Sequence, residues 1–254
     1  MQIFTFPRKA KWLLQYLGWF RGIIVVLAKP FAVVTKLVSR SEWYWQFVEK
    51  QFDQRHGIDT VEIVPVKNLS LTKREADQAV FYEPTPIMEF GFILSRLGIN
   101  FSDYTFLDLG SGKGRALLLA TWFDFKKIIG VEISKPLHEI AQQNILSFHE
   151  SGKIPKNNVF SMCEDASNVS IPTEPLVIFL FNPFHEQIIE AFLESLRHSL
   201  RQNFKPTTIL YGNPIHDHVF ENCNWLTKKG CELRGWYSVY VANEDSISSA
   251  MNPK

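Results

Sequence analysis

The sequence predicts an α/β domain: a doubly wound, mostly parallel sheet with helices on both faces. Three observations carry this. Apolar runs of strand length alternate with longer helix-forming stretches, the pattern of a parallel sheet whose crossovers are helices. The run Leu176-Val-Ile-Phe-Leu-Phe181 is continuously apolar, as a strand buried on both faces must be. Phe106 to Ala120, FLDLGSGKGRALLLA, places a short apolar strand, Asp108 and three alternate glycines directly before a helix-forming run.

Strands are expected near 104–109, 127–133, 158–162, 175–181 and 207–212, and helices near 114–123, 135–150 and 185–200. A last pair near 225–229 and 235–242 is expected to form an antiparallel edge. Upstream, an amphipathic helix is expected over 41–52, with Trp45, Phe47 and Val48 available to pack, and a short strand over 61–66 closed by Pro65. Lys73-Arg74-Glu75 with Asp77 reads as a solvated face. Phe81-Tyr82-Glu83-Pro84-Thr85-Pro86 then leads into a helix over 87–97, its prolines fixing an extended approach and a first turn.

The glycine-rich bend implies a ligand. Without Cβ atoms, Gly110, Gly112 and Gly114 let the backbone turn sharply and approach a bound group, and the following N–H groups open a helix toward it. A second apolar strand ends in Glu132, eighteen residues after Gly114, a position suited to the hydroxyls of a ribose. A dinucleotide fingerprint would need glycine at 115, where Arg115 stands. A P-loop would need Ser or Thr after Gly112-Lys113, where Gly114 stands.

The remaining pattern, D-x-G-x-G-x-G, resembles motif I of the class I S-adenosylmethionine-dependent methyltransferases. Three later landmarks follow in that family's order: Glu132, Glu164-Asp165-Ala166 and Asn182-Pro183-Phe184. The resemblance spans roughly residues 78–242 and implies a Rossmann-like, seven-stranded sheet with S-adenosylmethionine as cofactor. It implies that Asp108 helps hold the methionine ammonium and that Gly110 and Gly112 give the methionine its backbone contact, with Ser111 and Gly114 in the same bend. Glu132 would take the ribose hydroxyls, Asp165 the adenine amino group and Ala166 a backbone partner on the base. Asn182-Pro183-Phe184 is similar to a shortened [DN]-P-P-[FY] motif of amino-methylating members, lacking the second proline. There an amide oxygen and a backbone carbonyl orient the target amine while the aromatic ring packs on it. Tyr82 is placed to close over cofactor or substrate. Tyr82-Glu83-Pro84 with Asp108–Arg115 also resembles membrane-anchored lysine methyltransferases, so an amine, a protein lysine first, is the expected acceptor. A lipid or small hydrophobic acceptor is the alternative; a non-catalytic cofactor-fold binding protein at a membrane is the other.

Composition bounds the rest. The 254 residues are 46% hydrophobic, enough to bury a full core, and the net charge is +1. That balance hides an asymmetry. Residues 1–40 hold seven Lys and Arg and no acid, while the remainder holds 20 basic against 26 acidic residues. With Trp12, Trp19, Phe20 and the apolar run 23–28, residues 1–40 read as a basic hydrophobic segment suited to an anionic membrane surface. Arg21 and Lys29-Pro30 interrupt it as a spanning helix. The expected organisation is 1–40 as this segment, 41–78 as a connecting helical region and 79–254 as the methyltransferase domain. No nucleic-acid partner is expected, because the core is not basic. The expected setting is intracellular, either cytoplasmic or peripheral to a membrane. Cys163, Cys223 and Cys231 lack C-x-x-C spacing; Cys223 and Cys231 are able to pair, but a reduced compartment is expected. His216-Asp217-His218 offers a base or ligand, yet no third ligand stands at a recognised spacing, so no metal is expected.

Overall fold

The computed structural model describes residues 42–150 and 158–249; the segment 1–40 lies outside them. Seven strands form one sheet: β1 (Thr105–Leu109), β2 (Lys127–Glu132), β3 (Val159–Cys163), β4 (Leu176–Phe181), β5 (Thr207–Gly212), β6 (Leu226–Glu232) and β7 (Tyr237–Ala242). Their spatial order is β3-β2-β1-β4-β5-β7-β6. The first five are parallel, and β7 pairs antiparallel with both β5 and β6. This is the doubly wound sheet with an antiparallel edge that the methyltransferase resemblance implies. The chain runs outward from β1 to β3, then returns to lay β4 on the other side of β1. The switch point between β1 and β4, at their carboxyl ends, is where ligands bind in such sheets.

Eight α-helices flank the sheet among the described residues: α1 (Glu42–His56), α2 (Lys73–Ala76), α3 (Ile87–Arg96), α4 (Arg115–Ala120), α5 (Lys135–Glu150), α6 (Glu186–Gln202), α7 (Asp217–Glu221) and α8 (Glu244–Ser249). Strand periodicity divides the core between two faces. Phe106, Val177 and Phe179 meet Phe52 of α1, Phe90 of α3 and Phe148 of α5 on one face. Leu107, Leu109, Ile178 and Leu180 meet Ile189, Leu193 and Leu196 of α6 on the other. The first face is aromatic: Phe90 lies edge-on to Phe106 at 5.8 Å and to Phe179 at 5.1 Å between ring centroids. Such pairs add about 0.5–1.5 kcal/mol each beyond area burial.

The helices depart from expectation at their ends. α1 runs on to His56 before Gly57, at φ +64°, stops it. Phe47 remains exposed, while Val48 and Phe52 pack. α4 ends at Ala120 and tightens into a 3-10 turn at Thr121–Phe123. No strand forms over 61–66: Pro65 has no N–H to extend a ladder, and a single antiparallel bridge joins Val64 to Tyr82. The Lys73-Arg74-Glu75 stretch is a one-turn helix, closed by a capping box between Thr72 and Glu75. No helix among the described residues is long and apolar enough to cross a membrane.

Candidate active site

The site grows from the end of β1. Gly110 and Gly112 take φ +73° and +54°, left-handed values that a side chain would strain. Space forbids one as well. A Cβ on Gly110 would stand 2.3 Å from the Pro183 Cβ, and one on Gly112 2.3 Å from two ring carbons of Tyr82. Gly110 and Ser111 both donate their N–H to the Val131 carbonyl, at 2.9 and 3.0 Å. The loop is thereby anchored to β2. Gly114, also left-handed, is the N-cap of α4.

Two acids are buried behind this loop. Asp108 is 3% exposed and Glu132 6%. Glu132 Oε2 accepts the Gly112 N–H at 2.7 Å, and its Oε1 accepts the Ser134 N–H at 2.8 Å. Each oxygen keeps a second lone pair for a hydroxyl donor. Burial, joined by the neighbouring Glu132 charge, holds the Asp108 carboxyl well above the ordinary range. Burial also raises Glu132, against the backbone N–H groups that pull it down. Ser111 Oγ is buried in the same place and has no hydrogen-bond partner among the described residues. The site thus holds excess acidity and a free hydroxyl.

Asp165 and Ala166 lie across Ile133 from the loop. Asp165 caps the 3-10 turn Ala166–Asn168, its Oδ1 accepting the Ser167 N–H and Oγ–H, both at 2.8 Å. Asp165 and Ala166 line a cavity of about 500 Å³, within the range that takes a nucleoside-sized ligand. Ala79, Ile133 and Phe184 border both this space and a narrower cavity of about 60 Å³, which is lined by Asp108, Gly110, Ser111, Gly112, Glu132 and Pro183.

Asn182-Pro183-Phe184 follows β4, so the switch point sets it against the glycine loop. Asn182 is buried at φ +45°, a conformation asparagine tolerates better than most residues. Its Oδ1 accepts the Tyr211 hydroxyl at 3.3 Å. The Pro183 carbonyl accepts the Val80 N–H at 3.2 Å, and the Gln78 carbonyl accepts that of His185 at 3.1 Å. The turn is therefore zipped to the segment leading into α3. Tyr82, from that segment, lays its ring over Gly112 and donates its hydroxyl to the Thr60 carbonyl at 2.8 Å.

A second group of residues here carries contacts that the sequence does not announce. Arg115, 1% exposed, takes the place a dinucleotide site gives to glycine. Its guanidinium pairs with Glu49 and with Asp53, the latter at 3.4 Å, and its Nε donates to Thr60 Oγ1 at 2.6 Å. Asp53 also accepts from the N–H groups of Thr60 and Val61 and from the Thr60 hydroxyl. Lys113 Nζ reaches Asp59 at 2.8 Å, and the Asn144 amide joins the Asp59 backbone to the Lys113 carbonyl. Residues 49–82 thus form a strap clasped to the glycine loop. One signal was present: Glu49 and Asp53 stand four apart on a helix, on one face, and a buried arginine needs such a pair.

The other candidates are structural in their contacts. Asp217 accepts from Tyr240, Ser238 and Lys228, at 2.6, 2.9 and 2.6 Å, fixing α7 to the β6–β7 edge. His216 and His218 both meet Glu186 Oε1, at 3.2 and 3.3 Å. Among the described residues no group of three or more His, Cys, Asp or Glu is set to hold a metal, and the three cysteines are free.

No family model matches this chain, and no curated protein matches it. Solved structures do. An RNA methyltransferase from Salinibacter ruber, in complex with S-adenosyl-L-homocysteine, is 21% identical with a TM-score of 0.42, over 63% of this chain and 92% of its own. A ribosomal protein L11 methylase from Lactobacillus delbrueckii subsp. bulgaricus is 13% identical with a TM-score of 0.42, over 61% and 74%. A SAM-dependent methyltransferase from Aquifex aeolicus is 15% identical with a TM-score of 0.44, over 61% and 88%.

Proposed function

We propose that this chain is a class I S-adenosylmethionine-dependent methyltransferase whose acceptor is an amine, a protein lysine first. The observation that carries the reading is the meeting of three parts at one switch point: a left-handed glycine loop, two buried carboxylates under it and the Asn182 turn against it. The residues fit the cofactor on three counts. The glycine cradle would be filled by any Cβ, the acidity of Asp108 and Glu132 suits a sulfonium and an ammonium, and Ser111 Oγ awaits a partner.

Bound S-adenosylmethionine supplies a methyl carbon made electrophilic by its sulfonium. The chain's part is to hold and aim. Asp108 would neutralise the ammonium, Glu132 would accept from the ribose hydroxyls, and Asp165 and Ala166 would meet the adenine edge in the wider cavity. Phe184, Pro183 and Tyr82 wall the narrower one. Alignment in a dry site is most of what such a displacement requires.

A lipid or small hydrophobic acceptor is the second reading, favoured by one observation. Both acceptors that the resemblance gives to the amine, Asn182 Oδ1 and the Pro183 carbonyl, already take one hydrogen bond each, from Tyr211 and Val80, which leaves each a single lone pair for an amine. The test is methyl-labelled S-adenosylmethionine incubated with the full-length protein and a cell extract, with Asp108→Ala as control. Label in protein supports the first reading, and label in lipid or small molecules the second. Label nowhere, despite measured cofactor binding, leaves a non-catalytic binding protein. Residues 1–40 are proposed to attach the protein to anionic membranes. Their deletion should release it from anionic liposomes, and co-sedimentation of the truncated protein would refute this.

A further inference from the structure

Three carboxylates border the narrower cavity: Asp108, Glu132 and Glu83. Glu132 takes the Gly112 and Ser134 N–H groups and keeps its other lone pairs for the ribose, and Asp108 is buried beneath the loop. Glu83 differs from both. It is exposed at the rim, and among the described residues its carboxylate has no hydrogen bond and no ion pair. Its backbone is held on both sides. Tyr82 before it is pinned by its ring on Gly112 and by the backbone pair with Val64, while Pro84 and Pro86 stiffen the chain after it.

The charge of this cavity is unbalanced. Among the described residues the one cation in its lining, Arg115, is spent on Glu49 and Asp53. Lys113, two residues earlier, is spent on Asp59. The groups Glu83 shares the cavity with are Asp108 from β1, Glu132 from β2, Arg115 from α4 and the Tyr82 hydroxyl of its own segment. With Asp108 and Glu132 assigned to the cofactor, Glu83 is the charge this cavity offers a cationic acceptor, and an uncharged apolar acceptor gains nothing from it.

We propose that Glu83 is the acceptor-side carboxylate, which binds the ammonium of a primary amine at the cavity mouth and takes its proton. This rests on the methyltransferase reading above and adds a charged acceptor to the one lone pair that Asn182 Oδ1 and the Pro183 carbonyl each keep for the amine. In the step, one N–H bond of the ammonium breaks and an O–H bond forms on Glu83. The electron pair stays on nitrogen, leaving a neutral amine and a neutral carboxyl. Because Glu83 is exposed, the proton then passes to solvent. Desolvation by its surroundings raises the Glu83 carboxyl above its ordinary value. The apolar walls of Phe181, Pro183 and Phe184 act on an incoming ammonium in the opposite sense, so the two groups approach each other in proton affinity.

The test uses the full-length protein, methyl-labelled S-adenosylmethionine and extract protein as the probe, with the product hydrolysed and scored as methyl-lysine. Glu83→Gln should cut labelling near pH 7 by about 10²-fold or more, the usual contribution of a positioned proton acceptor. The deficit should shrink as pH rises toward the free amine's value of about 10.4. Glu83→Asp should retain part of the rate, and calorimetry should find the cofactor affinity of both variants unchanged. Wild-type labelling by Glu83→Gln would overturn the role of Glu83 while leaving the methyltransferase reading intact. Loss of cofactor affinity in Glu83→Gln would overturn it too, placing Glu83 on the cofactor side. Wild-type label found only outside amines would remove the amine reading, and this inference with it.

Discussion

The glycine loop and the strap that covers it touch at Gly112 and Tyr82, yet they hold their shapes by different means. The loop is backbone geometry: left-handed residues, N–H groups donated to Val131 and Glu132, and no room for a Cβ. The strap is side-chain electrostatics: Glu49, Asp53, Asp59 and Thr60 closing on Arg115 and Lys113. The loop's requirements are local and repeat in the same few residues wherever they arise, so they show in a sequence. The strap's partners lie from 54 positions apart, for Lys113 and Asp59, to 66, for Arg115 and Glu49 (115 − 49), and nothing local marks them.

That contrast has consequences of graded size. Gly112→Val should do the most to binding: it forces a branched side chain onto a left-handed backbone and into the Tyr82 ring. Cofactor binding should vanish from calorimetry while circular dichroism keeps the α/β signature; retained affinity would mean that the loop is not the cofactor's cradle. Arg115→Met should instead strike the fold, leaving Glu49 and Asp53 buried without their cation. A loss of about 3–5 kcal/mol in urea unfolding is expected, and adding Glu49→Leu and Asp53→Leu should recover much of it. If the single variant unfolds like wild type, the strap is not held by this network.

A pH series sharpens the comparison further. Asp108 and Glu132 have raised values in the folded protein, so the folded state binds more protons than the unfolded one. Their effect on stability is therefore largest in acid. It is lost as pH rises from the unfolded values, about 4, through the folded ones. A cationic cofactor reverses the preference and expels a proton, so affinity should climb with pH over the same window, by up to about tenfold per unit for one proton. Asp108→Asn should flatten that climb; calorimetry in buffers of differing ionisation enthalpy counts the protons directly. Tyr82→Phe is the mildest change. It removes only the hydroxyl bond to Thr60 and should cost about 1 kcal/mol, leaving the ring on Gly112. A much larger loss would show the strap to depend on that one bond.

The sheet was legible because each strand carries its own signature. β5 runs over 207–212 as expected, and β4 and α5 fall within a residue of their expected bounds. The glycine loop, Glu132 and the Asn182 turn were legible for the same reason, each following a strand end. What escaped depends on distance in sequence. Arg115 looked like a mere departure from a dinucleotide fingerprint; its role appears only when α1 packs against α4. The bridge over 61–66 was mistaken for a strand because apolar periodicity does not report that Pro65 lacks a donor. The engagement of Asn182 by Tyr211 was equally hidden, since it joins the ends of two strands 29 residues apart.

The contact between Gly110 and Pro183 has a thermodynamic side. Gly110 belongs to the wall the cofactor would rest on, and Pro183 to the wall the acceptor would rest on, yet they stand too close for a single methyl group to separate them. Two ligands that share such a partition do not associate independently: displacement of one wall is felt by the other. Reciprocity then requires that any gain in acceptor affinity caused by the cofactor be matched by an equal gain in cofactor affinity caused by the acceptor.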